Sequence, residues 1–154
     1  MIELSPHRLS LSTGIYMDAF TAGDPKNLAI IFLHGFPESH RTWRHQIAHF
    51  SDRFYCIAPD QRGYRGTSKP KEVEAYTADK LTADIFALAD ALNVQQFVIV
   101  GHDWGGAIAW SVALNGQPDA PNPAWAGRVR RAVIANAPHP YLFQRLLITD
   151  MNQR

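Results

Sequence analysis

An open, mostly parallel sheet with helices on both faces is the fold class this sequence predicts, and three observations predict it. Residues 28–33, 54–58 and 97–100 are short, continuous apolar runs, the pattern of strands buried on both faces of a parallel sheet. Between them, apolar residues recur at helical spacing, most clearly over residues 78–92. Ahead of them, two partly alternating stretches flank Gly14 and read as a hairpin near a sheet edge. A hairpin followed by repeated strand–helix units gives an α/β layer architecture whose ligands bind beyond the carboxyl ends of the strands.

In order, the hairpin occupies residues 7–12 and 15–21, and Gly23-Asp24-Pro25 is a turn. The strand at 28–33 ends in His34-Gly35-Phe36-Pro37-Glu38-Ser39, after which Trp43, Ile47 and Phe50 share one helical face. The strand at 54–58 runs into Pro59-Asp60-Gln61-Arg62-Gly63-Tyr64. The next helix places Leu81, Ile85, Leu88 and Leu92 on one face, with Thr77 as its cap. Residues 97–100 form a strand, 105–115 a helix, 117–127 a Pro-rich loop and 129–135 another buried strand. Pro138-His139-Pro140 leads to a last apolar segment ending in Leu146-Leu147-Ile148.

Composition narrows the partners. With 46% hydrophobic residues the chain can bury the core of one domain. Charges nearly balance, 15 Lys and Arg against 14 Asp and Glu, and no basic block points to nucleic acid or an anionic membrane surface. The longest apolar run is far too short to span a bilayer, and the first residues show no basic region followed by an apolar stretch, so no secretory leader is expected. The single cysteine, Cys56, reads as a small core residue in a reducing compartment, and the expected location is cytoplasmic. His45 and His49 have i,i+4 spacing but no intervening Glu and no third ligand, so neither metal nor other cofactor is expected.

The stretch Val98-Ile99-Val100-Gly101-His102-Asp103-Trp104-Gly105-Gly106 carries the chemistry. Glycines two places before and two places after Asp103 leave room where side chains would clash, so Asp103 can sit in a strained turn and project outward. The pattern is the G-x-S-x-G elbow with aspartate in the serine position. A carboxylate there cannot form an ordinary acyl-enzyme. It can displace a leaving group at saturated carbon and become an ester with the substrate. The competing reading is an aspartate that only caps the following helix. The flanking glycines and the loops at the other strand ends weigh against it.

Four segments in order, His34-Gly35-Phe36-Pro37, Asp60-Gln61-Arg62-Gly63-Tyr64, Gly101-His102-Asp103-Trp104-Gly105-Gly106 and Asn136-Ala137-Pro138-His139-Pro140, resemble landmarks of the α/β-hydrolase superfamily and, more narrowly, its epoxide hydrolase branch. The resemblance implies an α/β-hydrolase fold with Asp103 as nucleophile. It implies an oxyanion hole from the backbone N–H groups of Phe36 and Trp104, with Phe36-Pro37 in cis, and a pocket of His34, Phe36, Pro37 and Trp104 for a small neutral hydrophobic epoxide. As loop-shaping residues, His34 and Asp60 would hold the strand ends, with Asp60 pairing to Arg62. Haloalkane dehalogenases, an alternative, commonly carry asparagine where this chain has Phe36. Fluoroacetate dehalogenases, the haloacid alternative, need arginines where it has Trp104 and Ala107.

The resemblance also implies parts that this sequence does not match: a late histidine base, a carboxylate orienting it, and a cap with two tyrosines. Asn136 is not the acid of family variants that place one there, and His102 should point away from Asp103 along the turn. On this reading residues 1–140 are the amino-terminal part of the core and 141–154 the start of the cap region. The expected partner is a complementary carboxyl-terminal polypeptide or a second copy of the chain, recruited by an open apolar edge at residues 129–135. The alternative from another class is a catalytically silent fragment that serves assembly or binding.

Overall fold

The structure is a computed structural model and describes residues 3–149. Strands β1 (Ser5–Ser10) and β2 (Tyr16–Ala22) pair antiparallel across a turn in which Gly14 takes φ 82°, a left-handed conformation open to glycine. β3 (Ala29–Leu33) is followed by a 3₁₀ turn at His40–Trp43 that runs into α1 (Arg44–Phe50). β4 (Tyr55–Pro59) precedes a second 3₁₀ turn, Val73–Tyr76, and the long α2 (Ala78–Ala91). β5 (Phe97–His102), α3 (Trp104–Asn115), β6 (Val129–Ala135) and α4 (Pro140–Thr149) complete the described residues.

The sheet runs β1-β2-β4-β3-β5-β6, with β3, β4, β5 and β6 parallel and the opening hairpin antiparallel at one edge. This is the expected architecture. Side chains on a strand point alternately to the two faces, and the two cores follow that period. On β3, Ala29, Ile31 and Leu33 join the cluster under α2 and α3, while Ile30 and Phe32 join Trp43 and Ile47 on the α1 face. β4 divides likewise, Tyr55 and Ile57 against Cys56 and Ala58. Phe32, Phe86, Phe97, Ile31 and Leu88 are fully enclosed, and each such side chain stabilises the fold by ~1.5–3 kcal/mol.

Three expectations need correction. β6 is not buried: Val129 and Ile134 pack against the core, but Val133 is 55% exposed and both arginines, Arg130 and Arg131, face solvent. The reason is position, because among the described residues β6 pairs only with β5 and forms the sheet edge. Thr77 does sit at the start of α2, yet its side chain makes no capping bond. The proposed Asp60–Arg62 pair does not form. Asp60 accepts from the backbone and ring of His40 at 2.9 and 3.0 Å, and the Arg62 guanidinium turns instead to Asp84. A planar fork is better matched by the bidentate carboxylate of Asp84 on α2 than by one already filled. α4 is amphipathic, with Tyr141, Leu142 and Phe143 exposed; the rest of the expected cap region, residues 150–154, lies outside the described residues. No described helix is long and apolar enough to cross a membrane.

Candidate active site

Register brings the site together. β3 and β5 are parallel neighbours with Leu33 opposite Gly101, so the loops after them leave the sheet at one height. The elbow turns within one residue: Asp103 takes φ 55° and ψ −124°, a left-handed φ for a side-chain-bearing residue, and α3 begins at Trp104. The flanking glycines make this possible. A Cβ on Gly105 would stand 2.3 Å from the Leu33 carbonyl oxygen, and one on Gly101 would stand 2.3 Å from that of Gly105. The backbones of β3, β5 and α3 therefore approach more closely than any side chain permits.

Asp103 stands at the N-cap position, but its side chain makes no capping bond. The carboxylate instead crosses to the loop after β3, where the Phe36 N–H donates to Asp103 Oδ1 at 2.9 Å. The two backbone donors, Phe36 first and Trp104 second, hold the Asp103 carboxyl below the ordinary carboxylate range; burial opposes this and the neighbouring His102 assists it. Of the two N–H groups, that of Phe36 is hydrogen-bonded to the carboxylate, and the Phe36–Pro37 bond is cis. Burial raises the Tyr64 phenol, and the negative charge of Asp103 raises it further.

Around this centre a chain of polar contacts ties three loops. Glu38 accepts the Gly35 N–H at 2.8 Å and stands 3.4 Å from His102 Nδ1, while His102 Nε2 lies 3.4 Å from Asn136 Nδ2. His102 is thus engaged away from Asp103, as expected, and no histidine among the described residues bonds to the Asp103 carboxylate.

A cavity of about 690 Å³ lies between the loop after β4, the start of α2 and one face of α3. Of the four expected lining residues only Trp104 borders it; the others named here are Gln61, Tyr64, Tyr76, Leu81 and Ser111. His34 is fully buried, with Nδ1 2.9 Å from the Gly35 oxygen and Nε2 accepting from the Gln61 N–H at 3.1 Å, so it holds the loop and does not border this cavity. Phe36 is 66% exposed, and Pro37 is exposed beside it, outside the cavity wall. The spacing of Trp104, Ala107, Ile108, Ser111 and Leu114 on α3 is the sequence signal for this wall. Sequence reasoning also missed Glu38, whose turn to Gly35 needs the loop's three-dimensional course.

The chain belongs to the α/β hydrolase fold family, whose profile matches residues 29–151. More closely, it is similar to epoxide hydrolases. A solved structure described among novel epoxide hydrolases from metagenomes of hot environments is 61% identical, with a TM-score of 0.88, and the match covers 99% of this chain and 48% of that one. A Bacillus megaterium epoxide hydrolase variant, solved with its diol product, is 34% identical with a TM-score of 0.82, covering 96% and 48%. Epoxide hydrolase A of Mycobacterium tuberculosis is 43% identical over 108 residues, 70% of this chain and 34% of that protein. The chain spans about a third of the length of such curated relatives and about half of the solved chains.

Proposed function

We propose that this chain supplies the nucleophile side of an epoxide-opening hydrolase acting on small, neutral, hydrophobic epoxides. The observation that carries the reading is the Asp103 carboxylate, projected from a strained turn and held at 2.9 Å by the Phe36 N–H. In the first step one carboxylate oxygen attacks an oxirane carbon. The ring C–O bond breaks, its electron pair stays on oxygen, and the alkoxide takes up a proton to leave a hydroxyalkyl ester. The other carboxylate oxygen becomes the ester carbonyl under the Phe36 and Trp104 N–H groups. In the second step water adds to that carbonyl, the same donors stabilise the oxyanion, and the ester collapses to a diol and free Asp103. Water activation calls for a base, and no described histidine is bonded to the carboxylate. The ester on this chain alone is therefore expected to accumulate.

Incubation with styrene oxide, intact-mass measurement and peptide mapping test the reading. One substrate mass should appear on Asp103, and Asp103→Asn should remove it while keeping the fold, because the amide still accepts from Phe36 and asparagine tolerates positive φ. Label on Asp79 or Asp84 in place of Asp103 overturns the assignment.

A further inference from the structure

The orientation of the Phe36 N–H rests on a side chain that touches neither Asp103 nor the cavity. His34 Nε2 stands 3.1 Å from the Gln61 backbone nitrogen, and a backbone N–H can only donate. Nε2 is therefore the acceptor, the ring is neutral, and the proton sits on Nδ1, which donates to the Gly35 carbonyl at 2.9 Å. That carbonyl and the Phe36 N–H belong to one planar peptide unit and point in opposite directions, so fixing one aims the other. The preceding peptide is held separately, by Glu38 on the Gly35 N–H. The Glu38 N–H also donates to the Gly35 carbonyl at 3.1 Å, so two donors, one on each side of the turn, restrain a plane that glycine leaves soft; that glycine cannot be replaced cheaply. A Cβ there would stand 2.7 Å from Asp103 Cβ.

We propose that His34 is a positioning residue of the oxyanion donor: its Nδ1–H imidazole, locked from behind by Gln61, acts with the Glu38 N–H on the Gly35 carbonyl to set the Gly35–Phe36 peptide plane so that the Phe36 N–H meets the Asp103 carboxylate and the ester carbonyl derived from it. The inference rests on the nucleophile reading and deepens it. A second bond, from Gln61 Nε2 to the His34 carbonyl at 2.6 Å, closes the lock. The environment keeps the ring neutral. Burial lowers its pKa most, His40 adds to this, and the Gly35 bond, Asp60 and Glu38 oppose it; the Tyr64 ring meets His34 edge-on at 4.6 Å. Protonation would set an Nε2–H against the Gln61 N–H and drive the ring, and with it the peptide plane, out of place.

The test compares His34→Asn, whose amide nitrogen can stand in for Nδ1–H, with His34→Gln, whose amide reaches the Nε2 position and leaves the Gly35 carbonyl with only the Glu38 N–H at 3.1 Å. In ¹⁵N-labelled protein, the Phe36 amide proton should lie downfield in the parent and in His34→Asn, and move upfield in His34→Gln. After excess styrene oxide is removed, the ester on Asp103 should persist about tenfold longer in His34→Gln, the direction expected when an oxyanion donor is misaimed, and within about twofold of the parent in His34→Asn. If His34→Gln does not fold, the parent and Asp103→Asn decide together: in both, the Phe36 amide must shift with the His34 ring protons as pH falls, and in Asp103→Asn no carboxylate at position 103 titrates beside it. A Phe36 amide indifferent to both substitutions, or to the His34 titration, overturns the proposal. Absence of label on Asp103 in the parent overturns the nucleophile reading instead, and the amide shifts still judge His34.

Discussion

The Arg62–Asp84 pair offers the most quantitative test of the framework around the site. Its side chains are 6% and 1% exposed, and two bonds of 2.8 and 2.7 Å join the guanidinium to the carboxylate. Thr13 donates to the same carboxylate at 2.6 Å, and Arg62 also donates to the Ala75 carbonyl at 2.8 Å. The pair therefore ties the loop after β4 to α2, to the turn before it and to the opening hairpin. Asp84→Ala would leave a buried cation and the Thr13 hydroxyl without their acceptor, so it should cost about 3–5 kcal/mol. With a urea slope of about 1–3 kcal/mol/M, the midpoint should fall by more than about 1 M, read by circular dichroism with the slope unchanged. Arg62→Leu combined with Asp84→Leu should recover most of the loss, since no charge is then stranded. A single variant within about 1 kcal/mol of the parent, or a double variant as weak as the sum of its parts, refutes the reasoning.

Other outcomes follow from the elbow and its charge. Gly105→Ala should lower thermal stability by on the order of 1–3 kcal/mol, because the added carbon meets backbone oxygens of Leu33 and His34 at 2.3 and 2.4 Å; an unchanged melting curve would disprove the close approach. Labelling of Asp103 needs the carboxylate, whose pKa is lowered chiefly by the Phe36 and Trp104 N–H groups, so its rate should hold as pH falls through the range where an ordinary aspartate protonates and decline only below it. A midpoint at or above that of an ordinary aspartate contradicts this. The same shift stabilises the fold above the unfolded-state pKa and is lost as pH falls through the folded one. Fluoroacetate should remain intact, since Trp104 and Ala107 offer no cation to its carboxylate, and fluoride release, followed with an ion-selective electrode, would sink that ranking.

What could be read from the sequence was what depends on short-range pattern. Ala29–Leu33 and Tyr55–Pro59 are apolar throughout because both faces of the sheet are covered there, and the run itself records that fact. The elbow was legible because a positive φ and two close backbone approaches demand glycines at fixed distances from Asp103. β6 was half legible: residues 129–135 do form the open edge expected of them among the described residues, but Arg130 and Arg131 make that edge exposed and charged where the reading took a buried, apolar strand. Asp60 and Arg62 misled differently: adjacency along a loop suggests a pair, while the partners that won, His40 and Asp84, lie 20 and 22 residues away. The cavity wall was hidden because it needs two helices and a loop to meet, and no single segment announces the meeting.

The pairing of Leu33 with Gly101 has a practical consequence. One residue of slip between β3 and β5 would displace the Phe36 N–H along the strand by roughly 3.3 Å, more than the length of its bond to Asp103, and would turn each inward side chain to the opposite face. If Asp103 is the nucleophile proposed above, its reactivity is consequently a gauge of strand alignment. The fraction of molecules that takes up one equivalent of epoxide counts those whose central strands have annealed in step, which makes the label an assay for refolding and for misassembled material.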